Sequence, residues 1–291
     1  MDTFSWSSSP LPDLTGRTAV VTGVTRGIGR AVRKALERAG ATVLGGARTV
    51  DGDGVGVLDL ADVEGVRAFA GWVGERAGQV DLLVNNAAVS NVSFSLAASG
   101  VESQFAVNHL GHFALTNLLL PLMGDDARVV TVTSAMYPML EALDLAALAD
   151  EASYSPGVAY VRPKAANVLF ATELDRRLRA SGLGVRSLLA EPGLADTSMH
   201  DSYPDDGTTQ AVRAALAETG RAAGPASAGV LYAATAAEVD SSVVYGPAGD
   251  RETPDVVATP VAGLGLDREL ATALWERSAE LTGAVPVASD N

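Results

Sequence analysis

The chain of 291 residues contains no cysteine. That excludes disulfides, thiolate metal sites and cysteine nucleophiles, and it fits a reducing compartment. Histidine is almost as scarce, with three in all. His109 and His112 lie close together in one helical stretch and His200 stands far off. No carboxylate or further histidine joins them at ligand spacing, so structural or core histidines are expected and no metal site. Bases are outnumbered, 21 against 35 acids, for a net charge of −14. A field of that sign repels nucleic acid and anionic membranes, so neither is an expected partner. Long apolar runs are missing too: the richest, 115–123, is broken by Asn117 and Pro121, and no membrane span is expected. Residues 1–12 lack the basic and apolar regions of a signal peptide, and a cytoplasmic location is expected. No linker, repeat or low-complexity block divides the chain. Residues 1–13 read as a flexible, Ser/Pro-bearing arm and 14–291 as a single domain.

What the chain does contain is alternation. Short β-branched or apolar runs at 17–22, 42–47, 55–58, 81–84, 128–133, 185–190 and 243–245 read as strands. Helical periodicity separates them, at 28–39, 63–75, 102–120, the stretch carrying Tyr160, a broken Ala-rich span at 208–237, and 267–281. Strand, helix and strand in repetition predict an α/β fold with a parallel sheet and helices on both faces.

Gly23, Gly27 and Gly29 fall where the first strand turns into the first helix. A tight turn, bare backbone and free N–H groups at a helix start are what an approaching pyrophosphate requires. The spacing G-x-x-x-G-x-G differs from the G-x-G-x-x-G fingerprint. An acid at the end of the second strand would bind a ribose 2′-hydroxyl and repel a 2′-phosphate; here that strand ends on Arg48, and no acid precedes Asp51. Arg48, with Arg26 in the glycine turn, favours a phosphorylated cofactor, NADP(H). Tyr160 and Lys164 lie one helical turn apart, where an ammonium beside a phenol favours the phenolate. That is a proton donor and acceptor suited to a carbonyl/alcohol pair.

With these residues in place the sequence resembles the short-chain dehydrogenase/reductase family from about Leu14 to the last helix. Thr22-Gly-Val-Thr-Arg-Gly-Ile-Gly29 looks like its glycine motif, and Asn85-Asn-Ala-Ala88 like its Asn-Asn-Ala-Gly. Asn108, Ser134, Tyr160 and Lys164 are similar to its catalytic set, and Pro192-Gly193 with Thr197 to its nicotinamide-binding turn. Asn108-His-Leu-Gly-His-Phe113, the long gap from Ser134 to Tyr160, and Ala165-Ala-Asn-Val-Leu-Phe170 resemble the retinol-dehydrogenase and protochlorophyllide-reductase-like branch.

The resemblance implies a Rossmann-type, doubly wound parallel sheet of about seven strands, NADP(H), and interconversion of a ketone or aldehyde with an alcohol. In it Tyr160 is the general acid/base, and Lys164 holds Tyr160 near ionisation and bonds the nicotinamide ribose. Ser134 donates to the developing alkoxide, and Asn108 anchors a water that relays protons through Lys164. Cofactor contacts are implied at Gly23, Thr25, Arg26, Gly27, Ile28, Gly29, Arg48, Asp59, Leu60, Asn86, Ala87, Tyr160, Lys164, Pro192, Gly193 and Thr197. The expected partner is a small, fairly apolar carbonyl or alcohol, under a lid from 135–157 and 194–207. A homo-oligomer, dimer or tetramer, would pair through the Asn108 and Tyr160 helices.

Three positions depart from the family. Ala88 replaces a glycine, Glu191 stands where this branch often has histidine, and Pro163 replaces a serine. Proline inside a helix costs roughly 3 kcal/mol, so Pro163 is harmless only if its helix starts within about a turn of Tyr160. Pro163 and Glu191 support an alternative, a catalytically idle NADP-binding regulator or scaffold of the same fold. A dehydratase or epimerase sharing the fold is a third reading.

Overall fold

The computed structural model describes residues 2–4, 11–50, 52–152, 154–197, 199 and 207–284. Its elements run, in order, β1 (Asp2–Phe4), β2 (Thr18–Thr22), α1 (Gly27–Arg38), β3 (Thr42–Ala47), β4 (Val55–Val57), α2 (Val63–Gly74) and β5 (Val80–Asn85). Then come α3 (Ser103–Phe105), a π-helical turn (Ala106–Leu110), α4 (Gly111–Leu119), β6 (Met123–Val132), α5 (Pro156–Ala180) and β7 (Arg186–Ala190). The rest is β8 (Ala195–Asp196), α6 (Gly207–Thr219), β9 (Arg221–Ala222), α7 (Ala223–Ala226), α8 (Ala228–Thr235), β10 (Val243–Ala248), β11 (Asp255–Pro260) and α9 (Arg268–Thr282).

Among the described residues nine strands form the main sheet, in the order β1-β11-β10-β7-β6-β5-β2-β3-β4. From β10 to β4 every pairing is parallel, which gives the seven parallel strands expected. The antiparallel pair at the edge was not foreseen: β11 returns along β10, and β1 pairs with β11. Residues 2–4, part of the expected N-terminal arm, form this edge strand. Pairing with a partner more than 200 residues away leaves no local periodicity to read in three residues.

Within each parallel strand side chains alternate between two buried layers. Val20 of β2, Leu83 of β5 and Val129 of β6 face one layer with Val66, Phe69 and Val73 of α2 and Phe113 and Leu115 of α4. Val21, Val84 and Val130 face the other, with Val32 and Leu36 of α1 and Val230 and Tyr232 of α8. Burying each such side chain contributes roughly 1.5–3 kcal/mol before entropy is counted.

The last helix has a role that its own periodicity does not disclose. Trp275 of α9 stacks on Phe170 of α5 and meets Phe113 of α4 edge-on, with centroids at 5.7 and 5.0 Å. The helices through which a homo-oligomer was expected to pair are thus packed within the chain itself, and every residue of α4 except Leu118 is buried. Among the described residues no helix is long and apolar enough to cross a membrane.

Candidate active site

The sheet reverses its winding between β2 and β5, and in open α/β sheets ligands bind outside the carboxyl ends of the strands at such a switch point. The glycine turn lies there. Gly23 and Gly27 have φ of +75° and +56°, the left-handed region that favours glycine. Gly29 is bare for another reason: a Cβ there would lie 2.3 Å from the Gly23 carbonyl oxygen and 2.5 Å from Asn86 Nδ2. Arg26, the N-cap of α1, is extended and makes no side-chain capping bond, which leaves the first-turn N–H groups for an anion. Thr25 and Ile28 are half-buried in the turn. Thr197 stands opposite, its Cγ2 at 3.4 Å from where a Gly27 Cβ would be. Below, Thr22 Oγ1 accepts from the Asn86 and Ala87 amides at 2.9 Å each, and Asn86 Nδ2 donates to the Thr22 carbonyl at 2.8 Å. This bare, N–H-lined cradle fits the diphosphate of a dinucleotide.

Arg26 and Arg48 are exposed, and neither guanidinium makes a hydrogen bond or ion pair among the described residues. Asp51 lies outside the described residues. Asp59 is exposed, with Oδ1 accepting from the Ala61 amide at 3.0 Å. The Leu60 side chain is buried in the core, with its carbonyl against Gly111 at the start of α4.

Lys164 of α5 is held against the end of β6, the strand that leads into Ser134. Lys164 is 2% exposed; its Nζ donates to the Val132 carbonyl at 3.0 Å, and its own carbonyl accepts from Thr133 Oγ1 at 2.7 Å. Ser134 is the next residue and half-buried, with its Oγ accepting from the Met136 amide. One turn before Lys164 the Tyr160 ring centroid lies 5.7 Å from Nζ. Burial lowers the Lys164 ammonium to about 8. The helix starts at Pro156, so Tyr160 is its fifth residue and Pro163 its eighth. Pro163 removes the bond to the Ala159 carbonyl, yet α5 runs on to Ala180 and the pair keeps its one-turn spacing.

Asn108 sits in the π-helical turn, a feature frequent at functional sites. Its side-chain amide is engaged both ways by the backbone of Val89, at 2.8 Å each. Its carbonyl accepts from His112 Nδ1 at 3.2 Å and Asn167 Nδ2 at 3.1 Å. Two donors fill the lone pairs of a carbonyl. Asn167 Nδ2 also reaches the Val132 carbonyl at 3.4 Å, so its amide spans the Asn108 carbonyl and the oxygen that holds Lys164. Asn167 was missed in the sequence. Its signal was a polar residue three past Lys164 on an otherwise apolar helix face.

The two histidines extend this network. Thr22 Oγ1 already accepts two amides, and of the two acceptors within reach of its proton His112 Nε2, at 2.9 Å, is nearer than the Val84 carbonyl at 3.4 Å, while His112 Nδ1 faces a carbonyl. The neutral Nδ1–H tautomer satisfies both ends, and a second proton would point at a filled oxygen. His109 Nδ1 meets Asn167 Oδ1, and its Nε2 meets Ser278 Oγ of α9. Burial pushes His112 down to about 3 and His109 to about 4. The unfolded chain protonates both near pH 6.5, so it binds more protons than the fold between there and these values. Stability therefore falls as pH falls through that window, by up to about 1.4 kcal/mol per pH unit per histidine. Urea unfolding at pH 7, 6 and 5 checks this: His112→Gln should flatten the dependence by about one proton, and an unchanged slope contradicts a neutral buried His112.

The Pro192-Gly193 turn follows β7, with Gly193 at φ +63°. Of the lid stretches, 153, 198 and 200–206, His200 among them, lie outside the described residues. The first stretch is anchored where Leu143 and Leu148 are buried against Val101, Phe105 and Leu274. Tyr137 is buried, its hydroxyl accepting from the Ala262 amide. Tyr154 Oη is held between the Val92 carbonyl and Gln104. Met136 and Met139 are exposed.

A doubly wound sheet with a glycine turn at its switch point, and a Tyr–Lys pair beside a serine, defines a dinucleotide-dependent oxidoreductase class. The chain belongs to the short chain dehydrogenase family, whose profile matches residues 17–207. Among curated relatives it is 37% identical to mouse retinol dehydrogenase 14, over 63% of each chain, and so spans less than two thirds of that protein. It is 35% identical to mouse polyprenol dehydrogenase, over 94% of this chain and 86% of that one. These relatives place it in the retinol-dehydrogenase-like branch. A solved structure, an uncharacterised protein from Mycobacterium paratuberculosis, is 34% identical with a TM-score of 0.75, covering 99% of this chain and 100% of that one.

Proposed function

We propose that the chain interconverts a ketone or aldehyde with an alcohol, using NADP(H) and Tyr160 as general acid/base. The observation that carries this reading is the buried Lys164 beside the Tyr160 ring, its carbonyl bonded by Thr133, the residue before Ser134. A bound dihydronicotinamide would supply the hydride. Tyr160 gives a proton to the carbonyl oxygen, Ser134 donates to the developing alkoxide, and Lys164 stabilises the phenolate left behind. The resemblance to retinol and polyprenol dehydrogenases, and the exposed Met136, Met139 and Val158 flanking the catalytic residues in the chain, support an apolar isoprenoid-like substrate. NADPH-dependent reduction of a panel of such aldehydes and ketones tests the activity. NADPH bound tightly without turnover of any of them favours the idle regulator.

NADP(H) over NAD(H) rests on the free guanidinium groups of Arg26 and Arg48 and on the lack of an acid at the end of β3. A charge-assisted bond contributes about 1.5–3 kcal/mol, so Arg48→Ala is expected to raise the KM for NADPH roughly 10- to 100-fold. The KM for NADH should stay as it was. Equal effects on both cofactors contradict recognition of a 2′-phosphate.

A further inference from the structure

We propose that Glu191 is a positioning residue that ties the loop carrying Ser134 to the Pro192-Gly193 turn, so that the proton-donating side and the nicotinamide side of the site are held as one unit. The inference deepens the oxidoreductase reading and rests on it for its catalytic consequence.

Glu191 follows β7 directly, and its amide donates to the Tyr245 carbonyl of β10. Its side chain turns back under two loops. Oε2 accepts from the Gly193 amide at 2.7 Å, and the carboxyl also accepts from the amide of Ala135, the residue after Ser134. The third side is closed by β10: a Cβ on Gly246 would lie 2.1 Å from Glu191 Oε1 and 3.0 Å from its carboxyl carbon. Glycine at 246 is thus what makes room for an acid at 191. Two backbone donors from different loops converging on one side chain need two acceptor lone pairs aimed apart, which a carboxylate has. An imidazole offers at most one acceptor, so the histidine common in this branch could not make the same bridge.

The group is mostly buried, and burial raises it above the usual carboxylate range against the two amide bonds and the attraction of Arg221. Arg221, from β9, is the charged group that acts on it; Ala135, Gly193 and Gly246 bring backbone alone. On protonation the carboxyl gains a donor hydrogen amid N–H groups and the bridge weakens. Turnover then falls as pH drops through the raised value.

The test uses the full chain and compares wild type with Glu191→Gln and Glu191→Ala. Glu191→Gln keeps one acceptor oxygen and cannot titrate. Amide hydrogen exchange reads the bridge without any need for turnover: in Glu191→Ala, exchange at Ala135 and Gly193 should speed at least tenfold, with the β2 and β5 amides unchanged. With an active substrate, Glu191→Ala should lower kcat roughly 10- to 100-fold and change NADPH affinity less than threefold. Glu191→Gln should keep a larger share of kcat and lose the acid limb of its pH profile. Unchanged exchange at Ala135 and Gly193 overturns the bridge whether or not a substrate is found. Faster exchange with kcat and its pH profile unaltered overturns the positioning role while leaving the oxidoreductase reading intact.

Discussion

Tyr160→Phe is expected to lower turnover by roughly 10²–10⁴-fold, the usual contribution of a positioned general acid, with NADPH affinity nearly unchanged. The substitution keeps the ring against Lys164, whose Nζ lies 5.7 Å from its centroid, and removes only the hydroxyl. Packing of α5 is untouched, so the melting temperature should move little. Because the lost interaction belongs to the proton-transfer step, kcat and kcat/KM should fall together. Steady-state kinetics alongside a fluorescence titration of NADPH checks both parts. A variant that keeps a tenth of wild-type turnover places the proton donor elsewhere.

The largest structural effect is expected from Gly29→Ala. Its Cβ would be 2.3 Å from the Gly23 carbonyl oxygen and 2.8 Å from the Gly23 carbonyl carbon, both backbone atoms that cannot rotate away. Either the start of α1 or the Gly23 turn must shift, and the same N–H groups form the diphosphate cradle. Overpacking of this kind costs about 1–3 kcal/mol, and NADPH binding should fall below detection by calorimetry. Gly71→Ala in α2 is the control. No heavy atom lies within 4 Å of its Cβ, and alanine in a helix interior should raise stability by about 0.5–1 kcal/mol with NADPH binding intact. Equal NADPH affinity in Gly29→Ala and wild type would mean that the cofactor does not lie over this turn.

Much of the molecule was legible before any coordinates. Alternating strand and helix signals gave the parallel sheet, because side chains buried on both faces leave continuous β-branched runs such as Thr18–Thr22. The glycine spacing located the turn, since φ near +75° and +56° at Gly23 and Gly27 is a local demand that only local residue choice can meet. Tyr160 and Lys164 were legible because one helical turn fixes their separation.

What the chain order could not disclose was where distant polar atoms would find one another. Asn167 came to span the Asn108 carbonyl and the oxygen that holds Lys164, and His112 became the link from Thr22 to the Asn108 carbonyl. Glu191 reached the Ala135 amide, and α9 closed over α4 and α5. Each of these joins segments that only the winding of the sheet brings together. A hydrogen bond or an aromatic contact across such a span leaves no periodicity in sequence, so residue types fixed the elements and the chemistry, and tertiary packing alone decided which groups hold the reacting ones in place.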